Sequence, residues 1–189
     1  MARDEHLTGR VHALSVEVVD YYHAHALEHF FTRDTWPDLE RRVEHNTMRL
    51  LDLFDEHGAK GTFFTLGSVA REYPGPISEI VKRGHELASH GMDHVRASDQ
   101  DQRTFLEDVR GSKAILEDRG GVPVNGYRAA SFSIGPGNWW AFDCLEEAGY
   151  CYSSSLSVRG SIANHPMVEP GPFCPGSGKL VEIPVTTFR

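Results

Sequence analysis

A short strand-like run, Glu86-Leu87-Ala88-Ser89, leads directly into His90-Gly91-Met92-Asp93-His94. His90 and His94 are four residues apart, and Gly91 allows the chain to turn so that both imidazoles point at one place. Neutral imidazoles suit zinc, cobalt, nickel or iron, and one carboxylate would complete a set of three ligands. Because the chain contains 11 histidines, a chance pair with a structural or surface role is the alternative interpretation.

Carboxylates that could join these histidines occur near the end of an earlier apolar run. Val11 to Val19 is rich in β-branched residues and predicts a buried first strand, with Glu17 inside it and Asp20 just after it. In a parallel α/β fold both carboxylates would lie at the same end of the sheet as the histidines. Each could instead be an ordinary solvated acid, although an acid in an apolar strand is costly to bury unless it is paired or binds a cation.

Strand and helix patterns alternate along the rest of the chain. The sequence predicts helices at 39–54, 76–83 and 139–148, and a further helix that runs from a capping box at Ser98 and Asp101 to Gly120. It predicts strands at 61–67, 86–89, 150–152 and 180–185, and another strand that carries Tyr127-Arg128. This alternation predicts an α/β domain with a parallel sheet, either open or closed into a barrel. We find no linker, so residues 1–189 are predicted to form a single domain, with a Pro- and Gly-rich loop at 157–178.

Composition excludes several classes of partner and site. The formal net charge of -8 argues against nucleic acid or anionic membranes as partners. No run reaches the roughly 18 apolar residues of a membrane span and no signal-peptide pattern is seen, so a cytoplasmic location is predicted. Cys144, Cys151 and Cys174 are odd in number and lack CxxC spacing, which predicts neither disulfides nor a thiolate zinc site.

Further along the chain, Arg128 and a tryptophan pair could also contribute to a site. Arg128 follows a predicted strand and could hold a carboxylate by a bidentate contact, or it could form a plain structural ion pair. Trp139 and Trp140 could stack on a sugar, but aromatic residues at a helix start more often belong to the core.

Four stretches in order resemble the motifs of one known family. They are Leu14–His23, Gly58–Phe64, Ala88–His94 and Gly126–Ile134. Together they resemble the polysaccharide deacetylases of the NodB-homology type, in particular the subgroup found in exopolysaccharide loci. The resemblance covers nearly the whole chain and implies a distorted (β/α) barrel that is incomplete at its C-terminal end.

The resemblance also implies a reaction and a set of residues. It implies hydrolytic N-deacetylation of an acetylated amino-sugar polysaccharide or oligosaccharide by a divalent metal, zinc being the expected ion. Asp20, His90 and His94 are the implied metal ligands. Glu17 is the implied base, and Arg128 is implied to orient it.

The chain departs from the family pattern at several positions. Glu17 and Val19 replace the usual Asp and Glu of the first motif, alanine stands at 129 or 130 in place of proline, and Ser153 replaces an aspartate. No residue matches the late histidine motif that supplies the acid, and His165 is a weak substitute.

These departures leave two alternatives open. One is a catalytically impaired remnant that binds carbohydrate or acts as a scaffold, and the other is a hydrolase of a small cyclic amide. Uncovered sheet edges would also favour self-association.

Overall fold

The computed structural model describes residues 13–157, 171–176 and 178–185, and its centre is a parallel sheet of six strands. The strands are β1 (Ser15–Val18), β2 (Thr62–Thr65), β3 (Glu86–Ser89), β4 (Gly126–Tyr127), β5 (Tyr152–Ser153) and β6 (Val181–Glu182). Their spatial order follows the chain order, and every neighbouring pair is parallel. Sequential order is the order of a (β/α) barrel, whereas a doubly wound sheet reverses direction near its first strand.

Helices connect the strands. They are α1 (Val43–Glu56), α2 (Gly67–Glu72), α3 (Pro74–Lys82), α4 (Gln102–Gly120) and α5 (Trp140–Glu147). Buried side chains of the sheet and helices, among them Phe63, Leu51, Phe105 and Leu116, form one hydrophobic core. Among the described residues β1 and β6 do not pair, so the sheet is open and corresponds to a distorted, incomplete barrel.

Most predicted elements are present with shifted bounds, which hydrogen bonding explains. Of the predicted first strand at 11–19, the described part that pairs with β2 is Ser15–Val18, and residues 11 and 12 lie outside the described residues. Helix α2 was not predicted and follows β2 directly. The N-cap of α4 is Asp101, whose side chain accepts a hydrogen bond from the Thr104 N–H at 2.7 Å, so the proposed start at Ser98 was wrong.

The connection between β1 and α1 has more structure than its polar sequence suggested. It contains three 3-10 turns, at Tyr21–His23, His25–Leu27 and Trp36–Asp38. No helix in the described parts of the chain is both long and apolar enough to cross a membrane. Most of the predicted loop at 157–178, including His165, lies outside the described residues.

Candidate active site

The candidate site lies where β1, β3, β4 and β5 end. Ser89 is in register with Tyr127, and Tyr127 with Ser153. The next residues along these strands, His90, Arg128 and Ser154, therefore reach the same end of the sheet. This is the carboxyl end of the strands, where the sites of parallel α/β proteins are found.

The segment from His90 to His94 is a tight turn fixed by backbone hydrogen bonds. Gly91 has φ of 79° and His94 has φ of 56°, so two residues of the turn adopt the left-handed region. The His90 N–H donates to the Thr65 carbonyl at 2.9 Å, which ties the turn to the end of β2. The Met92 N–H donates to the Asp108 carboxylate at 3.1 Å, which ties the turn to α4. Burial raises the pKa of Asp108 to about 6.

His90 is buried and its ring has a defined orientation. Its Nδ1 lies 2.8 Å from the Arg128 carbonyl oxygen, which can only accept, so Nδ1 carries the proton. Nε2 therefore exposes a lone pair, and it has no hydrogen-bond partner within the described structure. Burial lowers the pKa of His90 to about 4, which keeps the imidazole neutral. A neutral imidazole fixed through Nδ1 is the usual state of a metal ligand.

Two further imidazoles lie near His90. The ring centroid of His94 is 5.0 Å from that of His90, and burial lowers the pKa of His94 to about 3. The His23 ring centroid is 6.0 Å from that of His94. His23 accepts a hydrogen bond at Nδ1 from the Asp20 N–H at 2.9 Å, so its proton is on Nε2. Sequence reasoning did not identify His23, although it stands in the first motif-like stretch.

Glu17 contacts both sides of the site. Its Oε2 lies 3.7 Å from His90 Nε2, and its Oε1 lies 3.5 Å from Arg128 Nη1. Arg128 is only 5% exposed and its guanidinium carbon lies 4.1 Å from the Phe64 ring centroid. Glu17, His90 and Arg128 are thus brought together.

Asp20 is engaged elsewhere. Its carboxylate accepts hydrogen bonds from the Arg42 N–H at 3.1 and 3.0 Å and from the Val43 N–H at 3.2 Å, at the start of α1. The described residues hold no group of three or more His, Cys, Asp or Glu side chains placed to bind one metal ion. In this structure the Asp20 oxygens satisfy the unpaired N–H groups of a helix, and the ligand set of Asp20, His90 and His94 that the resemblance implies stays a prediction.

The two histidines still fit one divalent ion, since His90 offers a free, buried Nε2 and the adjacent His94 is neutral. In front of His94 lies a cleft of about 440 Å³. Residues of the β1–α1 connection line much of it, among them His23, Phe31, Arg33 and Trp36. This volume lies within the range of about 300–1,000 Å³ that is usual for small-molecule binding clefts.

The remaining candidates lie apart from these groups. Trp140 packs against the core, and Trp139 is 41% exposed and stacks on Phe142. Cys144 is buried, Cys151 and Cys174 are exposed, and all three are free thiols.

Comparison with known proteins identifies relatives of the chain. Residues 29–139 match the family model described as polysaccharide deacetylase. A chitooligosaccharide deacetylase from Sinorhizobium fredii is 42% identical over 145 residues, which is 76% of this chain and 61% of that protein. A peptidoglycan-N-acetylglucosamine deacetylase, PgdA, from Listeria monocytogenes is 32% identical over 79 residues, which is 41% of this chain and 17% of that protein.

A solved structure matches more of the chain. A Mycobacterium smegmatis protein assigned as a polysaccharide deacetylase superposes with a TM-score of 0.72 at 30% identity. The match covers 92% of this chain and 57% of that protein. The chain therefore spans less than two thirds of the length of each of these proteins.

Proposed function

Because the chain belongs to the polysaccharide deacetylase family, we propose that it is a metal-dependent hydrolase that removes N-acetyl groups from an amino-sugar polysaccharide or oligosaccharide. The single observation that supports this proposal most is the position of Glu17. One of its oxygens faces the free Nε2 of His90 and the other faces the guanidinium of Arg128. A carboxylate held in this way can take a proton from a water molecule close to a metal ligand.

In the proposed reaction Glu17 is the general base. It accepts a proton from water while the water oxygen attacks the acetamide carbonyl carbon, and breaking the carbon–nitrogen bond releases acetate and the free amine. In this proposal protonated Glu17 then returns that proton to the departing nitrogen as the carbon–nitrogen bond breaks. Arg128, whose Nη1 lies 3.5 Å from Glu17 Oε1, is proposed to orient the carboxylate.

His90 and His94 are proposed to hold the divalent ion, with zinc the expected ion. Such an ion supplies Lewis acidity towards the carbonyl oxygen and lowers the pKa of water. The chain itself contributes two neutral imidazoles, one of them fixed by the Arg128 carbonyl. Asp20 was implied as the third ligand, and its bonds to the start of α1 argue against that role.

The test measures acetate released from N-acetylglucosamine oligomers by the metal-loaded protein and by Glu17→Gln. We expect Glu17→Gln to lower kcat by about a hundredfold or more, since general base catalysis contributes roughly 10²–10⁴-fold. Arg103→Gln is the matched control, because Arg103 forms an exposed ion pair with Glu107 on α4 and should leave kcat unchanged. Equal rates for Glu17→Gln and wild type would refute Glu17 as the base.

The same assay separates the alternatives. A catalytically impaired, carbohydrate-binding remnant would bind the oligomers with no acetate release from the wild type. A cyclic-amide hydrolase would open a small cyclic amide and leave the oligomers acetylated. The altered first motif favours the remnant, whereas the contacts of Glu17 with His90 and Arg128 favour the enzyme.

A further inference from the structure

Glu182 is a buried carboxylate with no role in the proposed reaction or metal site. It lies in β6, opposite Ser153 of β5, and it is 0% exposed. Its Oε1 accepts hydrogen bonds from the Ser155 N–H at 2.9 Å and the Leu156 N–H at 2.8 Å. Its Oε2 is buried without a hydrogen-bond partner in the described structure. Burial raises the pKa of Glu182, so a carboxyl group at this position costs free energy. A functional role would explain why the position carries a carboxyl group.

The backbone that Glu182 holds is the segment that positions Arg128. The Arg128 Nε–H donates to the Ser154 carbonyl at 3.0 Å, and Nη2 donates to the Ser154 hydroxyl at 2.9 Å. The Ala129 N–H donates to the Ser155 hydroxyl at 2.9 Å. The end of β5 is therefore bonded to Glu182 on one side and to Arg128 and Ala129 on the other.

Arg128 needs this support because it is a charged group in the interior. Two aromatic rings, Phe64 and Phe132, lie next to its guanidinium, at 4.1 and 5.6 Å. Its ion-pair contact with Glu17 is 3.5 Å, which is long for a direct hydrogen bond. Ser154 therefore supplies the close contacts that fix the direction of the guanidinium. Burial lowers the pKa of Arg128, whereas the negative charges of Glu17 and Glu182 act in the opposite direction.

We propose that Glu182 is a positioning residue for the deacetylation site, which fixes Ser154 through the Ser155 and Leu156 amides and thereby aims Arg128 at Glu17. The inference rests on the proposed function of Glu17 and Arg128. Glu182 acts through Arg128 and touches neither substrate nor metal.

The primary variant is Glu182→Gln, which replaces a charged acceptor by a neutral one and so weakens the hydrogen bonds from the two amides, since charge-assisted hydrogen bonds are roughly twice as strong as neutral ones. We expect kcat to fall about tenfold or more while KM changes less than twofold, since small misplacement of a reacting group lowers the rate of the chemical step. In a protein that already carries Arg128→Lys, adding Glu182→Gln should lower kcat little further.

The control variant is Glu117→Gln. Glu117 also accepts a backbone hydrogen bond, from the Val124 N–H at 3.0 Å, but it lies on α4 and pairs with Lys113. It should leave kcat and KM unchanged. If Glu182→Gln lowers stability without moving either quantity, Glu182 is only a structural anchor and the inference is overturned. If Glu182→Gln fails to fold, Ser154→Ala removes the next contact in the chain and should show the same loss of kcat.

A readout independent of turnover separates this inference from the proposed function. The Nε–H of Arg128 can be followed by nitrogen-15 NMR, and its bond to Ser154 should slow its exchange with water. We expect Glu182→Gln to speed this exchange in the folded protein, whether or not acetate is released. Unchanged exchange would overturn the inference, and absence of acetate release from the wild type would refute only the proposed function.

Discussion

Glu17 and Asp20 are three residues apart, yet they have different surroundings. Glu17 lies within β1 and faces His90 and Arg128, whereas Asp20 follows the strand and bonds to the start of α1. The sequence indicated that an acid inside an apolar strand needs a partner, and Glu17 has two. The family resemblance implied Asp20 as a metal ligand. Its carboxylate accepts hydrogen bonds from N–H groups that lie 22 and 23 positions further along the chain.

A second residue-scale feature is His85, which lies outside the site. It is 7% exposed, its Nδ1 accepts the Gly61 N–H at 3.3 Å, and its Nε2 is buried without a partner in the described structure. Burial lowers the pKa of His85 below its ordinary value of 6.5. Protonation would place a charge beside Phe54 and Phe63.

This environment makes stability depend on pH. As the pH falls below 6.5 the unfolded state binds a proton at His85 that the folded state does not, so the free energy of unfolding decreases until the lower folded pKa is passed. The His85→Asn variant has no titratable group at this position. The difference in free energy of unfolding between wild type and this variant should therefore become smaller as the pH falls from 7 to 5. Urea unfolding of both proteins across this range measures the difference. A constant difference would contradict the lowered pKa.

At the scale of elements, α1 depends on a cap from outside its own sequence. The side chain of the N-cap residue, Arg42, makes no capping hydrogen bond. The Asp20 carboxylate instead accepts hydrogen bonds from the first N–H groups of the helix. Asp20→Ala should therefore lower the free energy of unfolding by about 1–2 kcal/mol, as removal of a helix cap does. Urea unfolding measures this loss.

Asp20→Asn is the informative partner of that variant. Asparagine caps helices about as well as aspartate, so Asp20→Asn should unfold close to wild type. Zinc binding measured by calorimetry should also be unchanged, because a capping carboxylate does not bind the ion. A large loss of zinc affinity in a stable Asp20→Asn protein would restore Asp20 as a ligand.

Elements with strong periodicity were predictable, and short ones were less so. Helix α4 and strand β3 follow directly from apolar spacing and breakers, since Glu86–Ser89 was predicted with the observed bounds. Strands β4, β5 and β6 have two residues each, and only pairing with neighbours defines them. Helix α2, six residues long, is too short for a periodic signal.

At the scale of the whole molecule, β1 and β6 are the two ends of the open sheet, and Phe173 pairs with Glu182 along the outer side of β6 through two backbone hydrogen bonds. β1 and β6 lie at opposite ends of the order β1-β2-β3-β4-β5-β6, and Leu14 and Ile183 beside them are 50% and 40% exposed. Edge strands with apolar neighbours favour pairing with another chain. We therefore expect this chain to self-associate as its concentration rises.

Sedimentation velocity over a range of concentrations tests this expectation. Leu14→Lys and Ile183→Lys should each weaken association, because a charge at a sheet edge opposes pairing. Leu53→Lys is the control, since Leu53 is 46% exposed on α1, away from the edges. A monomer at every concentration, or an equal effect of the control, would argue against association through the edges.

The sequence by itself determined the class of fold and the histidine turn, whereas the roles of Glu17 as base and Arg128 as orienting group, implied by the family resemblance, stay a proposal. Strand periodicity, glycine breaks and ordered motifs are local, so they can be read along the chain. Only the tertiary structure decided that Asp20 caps α1, that His23 stands beside His94, and that Glu182 holds the end of β5. Most of these contacts join residues that are distant in sequence. Which side chains meet also depends on strand register, which is a property of paired strands.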